Sequence, residues 1–209
     1  MKTFAKILSV GAIVSGSLLT SSVASADVSY NVGFVSEYYY RGIYQKNASA
    51  SAGIDYEQSG FYAGAWTADV GDGLEVDGYL GYGGEVGDFS YGVGFTGYYY
   101  TGDFDETYEE VNLSAGYGPV SIGYSIGEWD GDGGTDYDFL EVSIDLGAGF
   151  YGLYGSFGDE FDGDYFELGY GTTVSEIDLG VALIFPSDEL EGTDNAAGEG
   201  ITLSIGKSF

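Results

Sequence analysis

The sequence predicts an all-β protein: a transmembrane antiparallel up-and-down β-barrel of about twelve strands that follows a cleaved signal peptide. Three observations predict it. Large apolar residues alternate with small or polar ones in many short segments, the chain starts with a basic and then apolar stretch, and the last strand ends on an aromatic residue. A single-chain bacterial barrel has an even number of strands, which fits the segments counted below.

The amino-terminal segment has the three parts of a secretory signal. Met1 to Lys6 is basic, Ile7 to Leu19 is apolar apart from Ser and Gly, and Ala24-Ser25-Ala26 provides small residues before Asp27. The apolar part is shorter than the roughly 20 residues that a spanning helix needs. We therefore expect residues 1–26 to be a signal peptide for the Sec pathway and residues 27–209 to be a single outer-membrane barrel domain.

Alternation with a period of two residues is clearest from Asn47 to Tyr56, where every even position is apolar and every odd position is small or polar. Gly- and Asp-rich turns separate the segments, as in antiparallel strands. The first, third and ninth segments, which begin near Val28, Phe61 and Phe150, alternate less regularly. The clearer segments lie near Leu80, at Phe89 to Phe95, Val111 to Tyr117, Val120 to Ile126, Leu140 to Leu146, Phe166 to Tyr170, Ile177 to Phe185 and Ile201 to Ile205.

The second face of these segments distinguishes a membrane barrel from a soluble β protein. A soluble protein places long polar side chains there, whereas here the residues are mostly Gly and Ser, such as Gly92, Ser121, Gly152 and Ser156. If the apolar face contacts lipid, the small residues line the interior. They leave room for water or for a few large side chains, among which we expect Tyr79, Tyr98 and Tyr165.

The connections and the strand ends predict the orientation. Even-numbered strands leave through tight links and odd-numbered strands through longer acidic ones, as periplasmic turns and outer loops do. Aromatic residues near both strand ends, including Tyr38 and Trp129 at the outer end, are typical of headgroup girdles. The terminal Phe209 is the expected assembly signal for the barrel assembly machinery. Periplasmic chaperones, outer-membrane lipid and lipopolysaccharide are the other expected partners.

Composition excludes several functions. The net charge is −29, and removal of Lys2 and Lys6 makes it 3 − 34 = −31, so nucleic acid is not an expected partner. The chain has no His and no Cys, which argues against the usual hydrolytic sites and against zinc or copper, so we expect no enzyme activity, no metal site and no cofactor. The loop from Asp130 to Asp136 is similar to half of a calcium loop, but it lacks the bidentate Glu, and a flexible acidic loop is the alternative.

Three stretches resemble a known family. Ser36 to Gln45, Ser59 to Trp66 and Leu74 to Tyr82 are similar to the amino-terminal signatures of the TorF family of proteobacterial outer-membrane porins. The resemblance extends from residue 27 to about residue 117, and Thr101-Gly102 departs from a Pro of that pattern. It implies an outer-membrane barrel that passes small solutes, and it identifies no solute.

Residue parity predicts an acidic lumen that prefers small cations to anions, since fixed charges in a narrow tube focus a potential. A solvated, non-selective lining is the alternative. The residues predicted to line the pore are Asp55, Glu57, Glu75, Asp77, Tyr79, Glu110, Glu141, Asp145, Glu167 and Asp178.

Arg41 is the candidate constriction residue, together with Glu37. It either folds into the lumen and pairs with Glu37 or another inward carboxylate, or it lies exposed near lipid headgroups. A porin-like channel for passive diffusion of small solutes is the function that the sequence favours. A structural or adhesive barrel with a closed lumen and a secreted acidic soluble β protein are the alternatives.

Overall fold

The computed structural model describes residues 27–190 and 198–209. The predicted signal peptide, residues 1–26, lies outside the described residues. None of the helices among the described residues is long and apolar enough to cross a membrane.

The described chain forms one closed antiparallel β-barrel in which each strand pairs with its sequence neighbours and the last strand pairs with the first. This confirms the predicted twelve-stranded up-and-down fold. A 3-10 turn at Gly131–Gly133 is the helical element in the described part. The strands are β1 (Asp27–Tyr40), β2 (Ile43–Gln58), β3 (Phe61–Gly71), β4 (Gly73–Val86), β5 (Phe89–Tyr100), β6 (Tyr108–Tyr117), β7 (Val120–Trp129), β8 (Thr135–Gly147), β9 (Phe150–Asp159), β10 (Asp164–Val174), β11 (Ile177–Pro186) and β12 (Gly200–Ser208).

The barrel closes where β12 meets β1. The register runs from Asn31 opposite Ser208 to Val35 opposite Ser204. Phe209 extends this seam, because its backbone N–H donates to the carbonyl of Tyr30 at 2.9 Å. Closure leaves no strand edge with unpaired backbone groups, which a hydrocarbon environment could not satisfy.

The outer face of the barrel is apolar. Every strand contributes at least one exposed large apolar side chain, for example Leu80 (51 % exposed), Leu113 (46 %) and Leu203 (58 %). The strands are 9 to 16 residues long, and about 9 to 11 residues suffice to span a bilayer as a tilted strand. Soluble monomers rarely expose so large a continuous apolar surface.

The connections differ at the two ends of the barrel. All links that follow even-numbered strands have two residues, as between Gln58 and Phe61, and we call this the link end. The opposite, loop end carries the longer connections that follow β5, β7, β9 and β11. The expectation that odd-numbered strands leave through longer connections is wrong for β1: only Arg41 and Gly42 separate β1 from β2, because both strands continue as a tight hairpin.

Three of the expected side-chain directions are wrong. Tyr38 is 6 % exposed and bonds to Glu75 inside the barrel, next to a register shift between Tyr38 and Tyr39. Trp129 was expected in the headgroup girdle, but its indole N–H donates a hydrogen bond to the carboxylate of Asp105. In β9, Tyr151, Leu153 and Phe157 are buried in the interior. The small residues of β9 at positions 152 and 156 therefore face outward, since strand side chains alternate.

Candidate functional site: the interior of the barrel

The carboxylates predicted to line a pore all occupy inner-face positions, but at different depths. Four of them are buried in the half of the interior nearer the loop end: Glu75, Asp77, Glu110 and Glu167. Others are less deeply placed, namely Asp55, Glu57, Glu141, Asp145 and Asp178. The interior thus has two parts, a packed half at the loop end and a half lined by small residues at the link end.

Glu110 is the centre of the packed half. Its carboxylate accepts two bonds from Arg41, Nη1 to Oε2 at 3.0 Å and Nη2 to Oε1 at 2.8 Å. The hydroxyls of Tyr98 and Tyr137 donate to it at 2.8 and 2.9 Å, and Asn112 Nδ2 donates at 2.7 Å. Bidentate Arg–carboxylate pairs with further donors are among the strongest polar contacts in proteins.

Arg41 reaches this position from the β1–β2 hairpin. Arg41 and Gly42 form the turn with φ values of +49° and +84°, a backbone that is typical of two-residue hairpin turns. The side chain is 5 % exposed, and its guanidinium carbon lies 4.3 Å from the centre of the Phe139 ring. Because β1 and β6 are separated by five steps around a ring of twelve strands, the pair spans the interior almost from wall to wall.

Of the partners expected for Arg41, the structure shows the inward carboxylate. It pairs with an inward carboxylate, Glu110, and the pairing expected with Glu37 is not the one observed. The carboxylate of Glu37 instead accepts a bond from the hydroxyl of Tyr39 at 3.4 Å. Exposure of Arg41 near lipid headgroups is also excluded by its burial.

Aromatic side chains close the space around the ion pair. Tyr39, Tyr137, Phe139, Phe157 and Tyr165 belong to one buried cluster. Tyr38 and Trp66 belong to a second one with Ala68 and Val70. Side chains therefore pack much of the loop-end half of the interior, as in other small barrels.

Glycines on neighbouring strands make room for these rings. A Cβ added at Gly169 would lie 2.1 Å from Tyr151, and one at Gly127 would lie 2.7 Å from Tyr137. Tyr165 likewise covers Gly155. The hydroxyl of Tyr79 bonds to Asp55, and its ring covers Gly64. Tyr79, Tyr98 and Tyr165 thus occupy the interior, as the sequence predicted. Some of the small residues provide the space against which the large rings pack.

The link-end half of the interior carries fewer large groups. Ser121 and Ser143 bond to each other through their hydroxyls at 2.8 Å, and a Cβ at Gly123 would contact only the Cβ of Glu141, at 3.8 Å. Asp145 accepts a bond from the N–H of Gly147, and Asp178 accepts one from Thr173, both at this rim. The lining of this half is therefore polar and made largely of small side chains.

Sequence reasoning missed the hydrogen-bond partners of the central pair. Tyr137, Asn112 and Ser125 were not candidates, although each occupies an inner-face position by parity. Alternation along the strands could have placed these three side chains in the interior, but it does not predict that they lie at the same height in the barrel as Arg41. Among the described residues there is no group of three or more acidic, His or Cys side chains that could hold a metal ion.

A family model matches residues 20–158, with the description "bacterial protein of unknown function (Gcw_chp)". The chain belongs to this family. The match covers most of the described barrel and starts ahead of it. The family description names no function, so the family places the chain without assigning an activity to it.

Comparison with curated proteins finds no match. Solved structures with some similarity include Pseudomonas aeruginosa OpdK with vanillate, at 16 % identity and a TM-score of 0.41, covering 79 % of this chain and 57 % of that one. P. aeruginosa OccK2 (OpdF) in complex with glucuronate has 15 % identity and a TM-score of 0.43, covering 90 % and 68 %. P. aeruginosa OccK9 (OpdG) has 16 % identity and a TM-score of 0.42, covering 78 % and 55 %. The chain thus spans 57 % of the length of the first of these proteins.

Proposed function

We propose that this protein is an outer-membrane channel for small solutes with a lumen narrowed at its loop end by the Arg41–Glu110 pair. The observation that carries the proposal is a closed barrel with an apolar outer face on every strand and charged and polar groups inside. The apolar belt fits a bilayer, and the small-residue half provides a polar vestibule. The TorF resemblance of the amino-terminal stretches agrees with this function.

A preference for cations is part of the proposal. The nine carboxylates predicted to line the pore occupy inner-face positions, whereas Arg41 is the basic side chain buried in the described interior and is neutralised by Glu110. Lys46 pairs with Asp69 at 2.7 Å and Lys207 with Glu176 at 3.1 Å. The remaining field in the lumen is negative, which attracts cations and repels anions.

The packed half also favours a second candidate, a barrel with a closed lumen and a structural or adhesive role. Tyr39, Tyr137 and Tyr165 are 1 to 2 % exposed, and Glu75 and Glu110 are equally inaccessible. A channel therefore requires that this layer rearrange or leave a narrow path beside the ion pair. The two candidates predict different conductances for the same folded protein.

Single-channel recording in planar bilayers separates them. The refolded protein is compared with Arg41→Ala and Glu110→Gln, each first shown to be folded by heat-modifiable migration on gels. Lys46→Ala is the matched control, since it removes a paired cation without touching the interior network. The channel proposal expects small steps for the parent protein and for Lys46→Ala, and larger steps for both interior variants. No steps from any of the four proteins would leave the closed barrel as the function.

Phe209 is proposed to serve as the assembly signal. It is 68 % exposed and ends the strand that closes the barrel, so a partner can reach it before closure. Deletion of Phe209 is expected to reduce the amount of heat-modifiable protein in the outer-membrane fraction. An unchanged amount would remove this role.

A further inference from the structure

Two buried polar atoms on β3 and β4 have no hydrogen-bond partner. They are Asp77 Oδ1 and Trp66 Nε1. Asp77 is 6 % exposed and Trp66 is 7 % exposed, and the two residues stand directly opposite each other in the register of these strands. Buried polar groups are costly without partners, and native structures rarely contain them. An orphan acceptor beside an orphan donor leaves both atoms available to a polar ligand.

The surroundings of Asp77 are aromatic and acidic. Tyr98 of β5 is the cross-strand neighbour of Asp77 on its other side, and Tyr100 is the neighbour of Glu75. The hydroxyl of Tyr38 donates to Glu75 Oε1 at 2.8 Å, and the rings of Tyr38 and Trp66 are 6.2 Å apart. We call this group the aromatic–carboxylate site. Its members are Tyr38, Trp66, Glu75, Asp77, Tyr98 and Tyr100.

No basic side chain of the described residues neutralises Asp77. Arg41 is committed to Glu110 by two bonds. Lys46 is bonded to Asp69, and Lys207 to Glu176. Glu75 lies two residues before Asp77 on the same face of β4, so the nearest charged neighbour on that strand is another carboxyl group. A hydrogen-bond donor for Asp77 Oδ1 must therefore come from outside the chain.

The chemistry of the site selects among cations. A divalent ion such as Ca²⁺ requires six to eight oxygen ligands, whereas two carboxylates are present here and the other walls are rings. Aromatic faces combined with a carboxylate are the arrangement that recognises organic ammonium groups. The free N–H of Trp66 requires an acceptor on the same ligand, such as a hydroxyl oxygen.

We propose that the aromatic–carboxylate site binds a small primary ammonium compound that carries a neighbouring hydroxyl group, an amino alcohol. The ammonium group donates to Asp77 Oδ1 and lies against the aromatic walls, while the ligand hydroxyl accepts the N–H of Trp66. The inference rests on the proposed channel function in one respect, because the lumen is the route by which the ligand reaches the site. It extends that function from cations in general to one chemical class.

The binding test uses the refolded barrel in detergent micelles, titrated with ethanolamine by calorimetry. Trp129→Phe then leaves Trp66 as the single tryptophan of the chain, which contains two, and its emission reports whether binding occurs at this site. We expect saturable binding and a change in Trp66 emission. Ethylamine, which lacks the hydroxyl, is expected to bind more weakly.

Two variants test the residues. Asp77→Asn is nearly isosteric and is expected to weaken ethanolamine binding about tenfold or more, since a hydrogen bond to a charged group is lost. Trp66→Phe is expected to abolish the advantage of ethanolamine over ethylamine. Asp188→Asn is the control, because it removes an exposed carboxylate in the loop that follows β11 and should leave binding unchanged.

The outcomes separate the inference from the channel. Absence of saturable binding, or equal binding by Asp77→Asn and the parent, overturns the site even if potassium conductance is observed, and water is then the partner of Asp77. Binding that depends on Asp77 in a protein without any conductance supports the site and overturns the channel. If Asp77→Asn fails to become heat-modifiable, Trp66→Phe decides the question by the same comparison of ethanolamine with ethylamine.

Discussion

Arg41 and Glu110 are joined by a bidentate ion pair across the barrel interior, although they are 69 residues apart in sequence. One comes from the turn of the first hairpin and the other from β6. The pair fastens the hairpin tip to the facing wall, and the aromatic layer packs around it. The same contact crosses the interior and links the first hairpin to β6 at the loop end of the barrel.

Loss of Arg41 is expected to destabilise the barrel more than loss of a surface ion pair. Arg41→Ala leaves the Glu110 carboxylate buried without a cation, which costs about 3 to 5 kcal/mol. Lys46→Ala removes a partly exposed pair and should cost at most about 1 kcal/mol. Urea unfolding in lipid vesicles, followed by tryptophan emission, gives both free energies. Equal costs would show that the interior pair contributes no more than the rim pair.

Gly169→Ala is expected to disturb the packed half. The new methyl group would meet the ring of Tyr151 at 2.1 Å and displace the bond between Tyr151 and Glu167. Overpacking of this kind costs about 1 to 3 kcal/mol. Gly78→Ala is the control, because a Cβ there meets no atom within 4 Å. The same unfolding measurement compares them, and a neutral Gly169→Ala would argue against tight seating of Tyr151.

A charge on the outer face is expected to be costly only if that face contacts lipid. Leu113→Arg places a cation in the middle of β6, where Leu113 is 46 % exposed, and should cost about 2 to 4 kcal/mol in vesicles. Ser114→Arg places the same charge on the inner face one residue away and should cost much less. The reverse order would contradict the membrane orientation. A monodisperse, cooperatively melting protein in detergent-free buffer would instead support the soluble alternative.

Cation preference is expected to depend on the inner-face carboxylates outside the packed half. In a KCl gradient, the double variant Asp55→Asn and Asp145→Asn should shift the reversal potential toward zero, because two fixed negative charges are removed from the lumen. The control is Asp188→Asn in the loop that follows β11, which also replaces a carboxylate by a neutral amide but lies outside the strands. An unshifted reversal potential for the double variant would mean a non-selective lining.

The alternation of side chains along a strand predicts which residues face the interior in the regular segments, and it fails where the strands are irregular. The regular segments, such as Val120 to Ile126, have one exposed face as expected. Tyr38 and Tyr39 are both buried where the register of β1 and β2 shifts, and no local sequence pattern marks such an irregularity. In β9, aromatic and glycine residues stand on both faces, so period 2 alone could not tell Tyr151 from Tyr154.

The sequence by itself determined the strands, their number and the face that side chains take in the regular segments, because alternation along an extended backbone has a period of two residues. It also determined the excess of acids and the absence of His and Cys. Only the tertiary structure decided that Arg41 meets Glu110 and that Asp77 stands beside Trp66 without a protein partner. Parity gives a side, whereas contact across a barrel depends on the stagger of the strands and on the inward turn of one hairpin, which are properties of the closed sheet as a whole.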